Sequence, residues 1–319
     1  MTNNCQLQYL MILLDGAAPS FCYYDAVTHG KGIMGLETLK HGIEFATKHS
    51  LGITAIYGTE ILPEEHRQLL NAVPHVKIVP YREGAFFTDN SLVVLDAVQD
   101  ASFPHRLLER EITHLVVTID LQDALRLYTF IENNYRFFRR ISVVFKGLEQ
   151  ADENMLNDFR LALQKLHPLL LNILWREKFT ETGFATDRMM LHEMNNCNAG
   201  VTHLSLAPDG NFYICPGFYH DNSPPIGSLD NGIHIKNRQL YEFSHAPVCK
   251  RCDCYQCKRC VYLNKRTTLE LNTPSHAQCV VSHHERNLSG ILLDKLQNRG
   301  IMVNYPKIPP LFYLDPIDI

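Results

Sequence analysis

The sequence predicts an α/β protein with two domains, and three observations lead to this prediction. The first is the length of 319 residues, which exceeds the usual size of a single domain and can bury a full core. The second is an alternation of short apolar runs with longer segments of helical periodicity before residue 175. The third is a change of character near residue 195, after which turns are dense and cysteines accumulate. We therefore predict a first domain over 1–195 and a second over 196–319.

The predicted strands are short and rich in β-branched residues, and several are almost continuously apolar, as parallel strands covered on both faces are. They comprise 7–14, 52–58, 75–80, 91–95, 113–119, 141–146 and 169–174. The segments between them carry apolar residues at helical spacing. These helical segments comprise 35–50, 63–73, 103–111, 121–138 and 152–167. A βα repeat of this kind predicts a parallel open sheet or a partial barrel.

Composition and charge exclude several classes of protein. Apolar residues at 45% and charged residues at 20% are typical of a globular protein, and no window reaches the roughly 18 uninterrupted apolar residues of a membrane span. The first apolar run ends at Asp15, with no basic leader and no small-residue cleavage site, so we expect a strand there and a cytoplasmic protein. The net charge of -4 gives no general attraction to nucleic acid or to an anionic membrane, and neither is expected as a partner.

Beyond residue 195 the sequence predicts little regular structure and a lobe held together by something other than a hydrophobic core. Asp209 and Gly210, between two short apolar runs, indicate a hairpin. The segment "RMMLHEMNN" (188–196) has the pattern of an amphipathic helix that leads into Cys197. The tail over 304–319 is rich in proline and apolar residues, and we expect it to lie extended across the body.

Eight of the ten cysteines lie after residue 195, and five of them fall in "VCKRCDCYQCKRCVY" (248–262). A C-x-x-C step lets two thiolates reach the same metal, and three such steps occur in this stretch. Disulfides explain it poorly, because the chain has a large core and no export signal. We therefore predict that the metal ligands are Cys197, Cys215, Cys249, Cys252, Cys254, Cys257, Cys260 and Cys279.

The number of cysteines indicates more than one centre. Five ligands in one stretch exceed the four of a tetrahedral site, so the sequence requires two centres, or one centre and spare thiols. Eight cysteines divide into two four-thiolate sites, each of which would close long loops in place of an apolar core. Spacing alone does not separate zinc from iron–sulfur clusters, and the nearby His276, His283 and His284 leave zinc open.

The order of these residues resembles the SPASM domain of radical S-adenosylmethionine enzymes that mature ribosomal peptides. "LSLAPDGNFYICPGF" (204–218) and "IGSL" (226–229) are similar to the hairpin of that domain and its following turn. The resemblance spans about residues 197–280 and implies two [4Fe–4S] clusters. Cys254 departs from the spacing of the family, and is either the fourth ligand of the first cluster or a spare thiol. The resemblance assigns Cys197, Cys215 and Cys260 to the first cluster and Cys249, Cys252, Cys257 and Cys279 to the second.

The loop after the first predicted strand, "DGAAPSFCYYD" (15–25), departs from the C-x-x-x-C-x-x-C motif of radical S-adenosylmethionine enzymes. Asp15 and Pro19 stand at the first two cysteine positions, and Cys22 alone remains. One thiolate cannot hold the cluster that binds S-adenosylmethionine, which argues against that cofactor. "YGTEILP" (57–63) resembles the Gly-Gly-Glu-Pro segment of the family and implies a cofactor contact at Gly58 and Glu60.

Together these features resemble the CXXX repeat peptide maturases, which lack the three-cysteine motif. The resemblance implies a partial (β/α) barrel of the radical SAM type followed by a Cys-rich, SPASM-like metal-binding domain. It also implies modification, or presentation for modification, of a ribosomally made peptide with cysteine at every fourth position, and presentation would involve a second modification protein as a further partner. Two hypotheses stay open. In one the protein is an enzyme and Cys22 is a reactive thiol at the barrel mouth; in the other it is a peptide-binding scaffold with structural iron–sulfur or zinc sites.

Overall fold

Eleven strands form a single sheet among the residues that the structure describes. It is a computed structural model, and it describes residues 7–25, 32–58, 61–81, 90–96, 113–176 and 179–311. The strands are β1 Tyr9–Leu13, β2 Gly52–Ile56, β3 His75–Pro80, β4 Ser91–Asp96, β5 His114–Asp120, β6 Arg140–Lys146, β7 Glu181–Thr182, β8 His203–Leu206, β9 Asn211–Tyr213, β10 Gly227–Ser228 and β11 Gly232–Ile233. Their order in the sheet is β11-β10-β9-β8-β1-β2-β3-β4-β5-β6-β7.

The sheet is parallel in its larger part and antiparallel at one end. Strand β1 pairs in parallel with both β2 and β8, and each strand from β2 to β7 pairs in parallel with the one before it. Strands β8 to β11 pair antiparallel. The described sheet has β7 and β11 as its two edges, so the barrel is open. The predicted α/β class and partial barrel are confirmed.

Eight α-helices occur in the described part of the chain. They are α1 Leu36–Lys48, α2 Glu64–Asn71, α3 Leu127–Asn134, α4 Glu153–Leu174, α5 Gly183–Met190, α6 Pro216–His220, α7 Val261–Thr268 and α8 His276–Gln297. Short 3-10 helices flank α3 at Leu121–Arg126 and Tyr135–Phe137, and others lie at Leu148–Gln150, Arg238–Tyr241, Phe243–His245 and Cys249–Arg251. Within the described ranges, no helix combines the length and the apolar character that a membrane crossing requires.

The two faces of the sheet pack against different parts of the chain, as the alternation of side chains along a strand requires. On the outer face, Ile12 and Leu14 pack with Leu39 and Ile43 of α1. Helix α4 packs against α8, and α8 also contacts α5. The opposite, inner face carries the apolar side chains Leu13, Ile56, Ile78, Val94 and Val116.

Six of the seven predicted strands are confirmed, and the last one, 169–174, is wrong. These residues form the last turns of α4, and Pro168 lies inside that helix. The apolar run "LLLNIL" continues the helical spacing of Leu163 and Leu166, which are buried on the same side as Leu170. A short apolar run does not by itself distinguish a strand from a buried helix, which explains the error. The predicted helix 103–111 lies outside the described residues.

The prediction of little regular structure after residue 195 is also wrong. Helix α8 is 22 residues long, and Ala199, Val201, Leu204 and Ile214 belong to a further apolar cluster. The hairpin at 209–210 is confirmed by β8 and β9. The helix predicted at 188–196 begins earlier, as α5, and ends at Met190. The boundary at 195 stays a prediction, and residues 312–319, half of the predicted tail, lie outside the described residues.

Candidate metal centres and the barrel cavity

The loop that follows β1 packs on the inner face of the barrel. Ala18 is fully buried there, and Phe21 packs with the same apolar side chains of the inner face. Tyr24 is also buried and stacks on His220 of α6, with ring centroids 5.1 Å apart. The loop therefore lies between the strands and the C-terminal region, and Cys22 lies within it.

Four thiols from distant parts of the chain form a first sulfur cluster, which consists of Cys22, Cys197, Cys215 and Cys260. Cys22 and Cys215 pack against the apolar cluster that contains Cys260, and the thiols of Cys22 and Cys260 shift each other's pKa. Charge on Cys197 and on Cys215 also acts on Cys260, which places all four in one neighbourhood. Cys260 is the N-cap of α7, and its sulfur accepts a hydrogen bond from the Leu263 amide at 3.5 Å. The start of this helix therefore favours negative charge on that sulfur.

Burial makes the first sulfur cluster hard to ionise without a cation. It raises the pKa of Cys197 to about 11 and raises the pKa of Cys215 further. The hydrogen bond between the other two thiols lowers the pKa of Cys22 and raises the pKa of Cys260. Four thiolates at close range repel one another, so a metal ion or an iron–sulfur cluster would supply the missing positive charge. Four thiols are the ligand set of an iron–sulfur cluster, and these four side chains fit that group.

Five cysteines and one histidine form a second sulfur cluster around a cavity of about 20 Å³. The Cys252 and Cys254 sulfurs and a ring nitrogen of His283 lie within 4.8 Å of one another. Cys279 lies one helical turn before His283 on α8, so both side chains project from the same face of the helix. Three ligand atoms this close can share one metal ion. The members of the cluster are Cys249, Cys252, Cys254, Cys257, Cys279 and His283.

One thiol of the second sulfur cluster ionises readily, whereas Cys249, Cys254 and Cys257 do not. Hydrogen bonds from the Cys254 thiol and from His283 lower the pKa of Cys252 to about 5. Burial raises the pKa of Cys249 to about 12 and also raises the pKa of Cys257. A thiolate is the form of cysteine that binds metal, so Cys252 is prepared for ligation at neutral pH.

A buried guanidinium lies between the two sulfur clusters. Arg259 is 1% exposed, and its charge acts on thiols of both clusters. Its Nε donates to Asn196 Oδ1 at 2.8 Å, and its Nη2 donates to the Tyr241 carbonyl at 2.6 Å. Its Nη1 has no hydrogen-bond partner among the described residues. A buried positive charge is costly unless negative charge compensates it, so Arg259 fits beside anionic metal–thiolate centres.

An ion-pair network holds the loop of the second sulfur cluster to the helices. Asp253 lies between Cys252 and Cys254, and it accepts hydrogen bonds from Arg286 Nε at 2.6 Å and from Arg188 Nη2 at 2.9 Å. The two arginines belong to α8 and α5, respectively. The thiols of this loop are therefore fixed relative to both helices.

The inner face of the barrel encloses a cavity of about 290 Å³ between its strands and the C-terminal region. Cys22 and Cys197 of the first sulfur cluster line this cavity, and so does Cys257 of the second. Pockets that combine aromatic walls with a few polar groups are typical binding sites. The aromatic wall of the cavity consists of Phe21, Tyr23, Phe145 and Phe184.

Apart from Lys258, which also lines the cavity, the ionisable groups of the cavity wall carry little uncompensated charge at neutral pH. Arg140 pairs with Glu181 and with Asp187, each at 2.6 Å. Burial and the Arg140 charge lower the pKa of His114 to about 4, so this imidazole is neutral. Burial raises the pKa of Glu285 to about 8, so this carboxyl group is largely protonated. Away from Lys258, the cavity wall is therefore suited to uncharged groups, such as a thiol or an apolar side chain.

The described residues do not fit the cluster that binds S-adenosylmethionine. The loop over 15–25 offers one thiol, and Cys22 is directed to Cys260. Gly58 is buried against Asp15, and an added Cβ would lie 2.1 Å from Asp15 Oδ2. The absence of a side chain at Gly58 is thus required for packing, and the predicted cofactor contact stays a prediction. Glu60 lies outside the described residues.

The structure gathers all eight predicted ligands into the two sulfur clusters, with two additions. Cys22 joins the first cluster, and His283 joins the second. Cys254 lies in the second cluster with Cys252, whereas the sequence left it open as a fourth ligand of the first. Sequence reasoning also missed Arg259, whose only signal was its position beside Cys260. The catalytic role predicted for Cys22 stays a prediction.

The fold is similar to that of solved structures of low sequence identity. For anSMEcpe with bound AdoMet, the TM-score is 0.58 at 13% identity, over 92% of this chain and 99% of that chain. For Streptococcus suis SuiB bound to precursor peptide SuiA, the TM-score is 0.46 at 11% identity, over 84% of this chain and 75% of that chain. No family model matches the sequence, and no curated protein matches it. The first likeness confirms the predicted fold class.

Proposed function

We propose that this protein takes part in the maturation of a ribosomally synthesised peptide with repeated cysteines. In this proposal it holds two thiolate-bound metal centres and binds the peptide in the barrel cavity. One observation carries the proposal: Cys22 and Cys197 of the first sulfur cluster and Cys257 of the second line the same cavity. A peptide cysteine in this cavity would lie close to both centres. The resemblance of the sequence to the CXXX repeat peptide maturases supports the choice of peptide.

We propose iron–sulfur clusters as the metal centres. Around a single zinc ion, two thiolate sulfurs lie about 3.8 Å apart, given a Zn–S distance of about 2.3 Å. Among the described residues, one group of three ligand atoms lies within 4.8 Å of one another, and it belongs to the second sulfur cluster. Among the described residues, no three thiols of the first sulfur cluster form such a group, which favours a larger, multinuclear centre there. Zinc stays the alternative at the second, where Cys252, Cys254 and His283 meet.

The residues of the chain would hold the centres and shape the cavity. A bound iron–sulfur cluster supplies electron transfer or a Lewis-acidic iron. One metal centre would be held by the first sulfur cluster, and the other by the cysteines around the 20 Å³ cavity. The aromatic wall would exclude water and orient the residues that lie between the cysteines of the peptide. The neutral imidazole of His114, whose Nε2 lies 3.0 Å from Ser142 Oγ, would present a polar group to the bound peptide.

A second candidate function is a peptide-binding scaffold that serves a separate modification protein. The observation that favours it is the loop after β1, where Cys22 is the one thiol and contacts Cys260. The anSMEcpe structure, which is similar in fold, contains bound AdoMet, whereas the loop of this chain offers a single thiol. In this function both metal centres are structural, and the partner performs the chemistry.

Peptide binding tests the proposal. The ligand is a synthetic peptide with cysteine at every fourth position, and a matched peptide has serine at those positions. Ser142→Leu places a larger apolar side chain in the cavity and removes the hydroxyl beside His114. We expect it to weaken binding at least tenfold, about 1.4 kcal/mol, with unchanged metal content. Leu161→Ser, at an exposed position of α4, is the control.

The outcomes separate the candidate functions. Tighter binding of the cysteine peptide than of the serine peptide, lost in Ser142→Leu alone, supports the proposed site. Equal binding of both peptides by all variants contradicts it. Mass spectrometry of the cysteine peptide after incubation with the reduced protein then separates the candidates. A mass change indicates an enzyme, and an unchanged mass with intact binding indicates the scaffold.

A further inference from the structure

We propose that Cys22 is the fourth ligand of the first metal centre, so that this centre joins the loop after β1 to the C-terminal region. The inference deepens the proposed function, and it rests on the metal centres of that proposal rather than on the peptide. The sequence resemblance assigns three thiols to this centre, Cys197, Cys215 and Cys260. A four-thiolate cluster requires one more.

The arrangement of the sulfurs selects Cys22 for this position. Its side chain packs against the same apolar cluster as Cys215, and Cys260 belongs to that cluster. Cys22 and Cys197 also line the same cavity. Cys254, the other candidate for this position, shares a site with Cys252 instead. Among the described cysteines, Cys22 is therefore the one that completes a set of four around the first centre.

The backbone of the loop is fixed on both sides of this thiol. On one side, the Ser20 hydroxyl donates to the Cys22 carbonyl at 3.1 Å. On the other side, Tyr24 stacks on His220 of α6, and Cys215 is the N-cap of that helix. A ligand that is positioned by its neighbours in this way loses little conformational freedom when metal binds.

The end of the loop is held by an ion pair with the barrel. Lys146 is 4% exposed at the end of β6, and its Nζ lies 3.3 Å from Asp25 Oδ1 and 3.9 Å from Asp96 Oδ2. The Thr118 hydroxyl donates to the same Asp96 carboxylate. The buried ammonium thus connects the loop to β4, β5 and β6. These contacts keep the loop that carries Cys22 on the inner face of the barrel.

The proposed ligand has a consequence for the whole chain. A bond from Cys22 through the metal to Cys260 closes a loop of about 240 residues, which is the kind of closure that restricts the unfolded chain most. The loop that binds a cofactor in a radical S-adenosylmethionine enzyme would here serve as a structural tie. The first centre would then contribute to the stability of the barrel as well as to that of the C-terminal region.

Metal analysis of cysteine variants tests the inference. The full-length protein and the variants Cys22→Ala, Cys260→Ala and Cys252→Ala are purified without oxygen, and iron, zinc and acid-labile sulfide are counted. Electron paramagnetic resonance of the reduced proteins assigns the signals. We expect Cys22→Ala to lose the signal that Cys260→Ala loses, to keep the signal that Cys252→Ala loses, and to retain about half of the native metal. The retained signal shows that the variant is folded.

Cys22→Ser covers the case in which the alanine variant does not fold. A serine oxygen can bind iron in place of sulfur, so we expect a shifted signal of the first centre and a native signal of the second. If either Cys22 variant shows both native signals and the native metal count, Cys22 is not a ligand and the inference is overturned. The proposal of two metal centres is unaffected by that result. A native protein without bound metal overturns the metal centres and the inference together.

Discussion

At the scale of single residues, the two sulfur clusters depend on charges that the cysteines do not supply. Arg259 lies 1% exposed between them, with Nη1 free of hydrogen bonds to any described residue. In the proposed iron–sulfur form, this guanidinium compensates the negative charge of the centres, and it favours their reduced state because reduction adds an electron.

Replacement of this charge gives a residue-level prediction. Arg259→Gln removes the positive charge but keeps a polar side chain, so we expect the midpoint potential of at least one centre to fall by about 60 mV, a tenfold change in the reduction equilibrium. The measurement is a redox titration followed by electron paramagnetic resonance. Arg251→Gln, at an exposed position, is the control. Equal potentials in the native protein and in both variants would contradict the role of Arg259.

The histidine of the cavity predicts a pH dependence of stability. The pKa of His114 is about 4 in the folded protein and about 6.5 in an unfolded chain. Between these values the unfolded state binds more protons, so the free energy of unfolding decreases as the pH falls from 6.5 to 4. We expect His114→Gln to lose less stability than the native protein in this window, measured by urea denaturation. His192→Gln, at an exposed position, should follow the native curve.

At this scale the sequence predicts which cysteines come together, because C-x-x-C spacing is a local property that survives folding, and their role as metal ligands stays a prediction. It could not predict that Cys22 meets Cys260, since that contact depends on how a loop packs into the barrel. The same holds for Cys254, whose spacing alone allowed two positions. Arg259 gave no signal, because a single arginine beside a cysteine is usually exposed.

At the scale of elements, the strands of the barrel were predictable because they are buried on both faces and read as apolar runs. Helix α4 was predicted only over 152–167, since its last turns are also continuously apolar. Helix α8 was missed because charged and histidine side chains interrupt its apolar stripe. Several of these polar residues, such as Glu285 and Arg286, are buried and belong to the site.

The packing of α8 gives an element-level prediction from two adjacent residues. Leu292 is fully buried beside α4, whereas Ile291 is 52% exposed. Leu292→Ala leaves a cavity in the core, so we expect a loss of about 2–5 kcal/mol in the free energy of unfolding. Ile291→Ala should change it by about 0.5 kcal/mol or less. Urea denaturation of the two variants measures both, and equal losses would show that α8 does not pack as described.

At the scale of the whole molecule, one sheet joins the barrel strands to the hairpin strands of the C-terminal region. The proposed metal centres add ties between parts of the chain that are far apart in sequence, and both centres lie beside the same cavity. Metal removal should therefore loosen the barrel as well as the cysteine-rich region. We expect a chelator to lower the melting temperature of the entire protein, because a ligand of the folded state stabilises it by mass action. Circular dichroism measures the melting temperature. A melting curve that the chelator leaves unchanged would contradict this.

The account depends most directly on the presence of metal in the two sulfur clusters. The measurement is a count of iron, zinc and acid-labile sulfide in the native protein, purified without oxygen. We expect about eight irons and about eight sulfides per chain for two cubane clusters. About four irons with one zinc would assign zinc to the cluster of Cys252, Cys254 and His283 and would leave the first centre as proposed. A protein that holds neither metal nor sulfide would contradict the account.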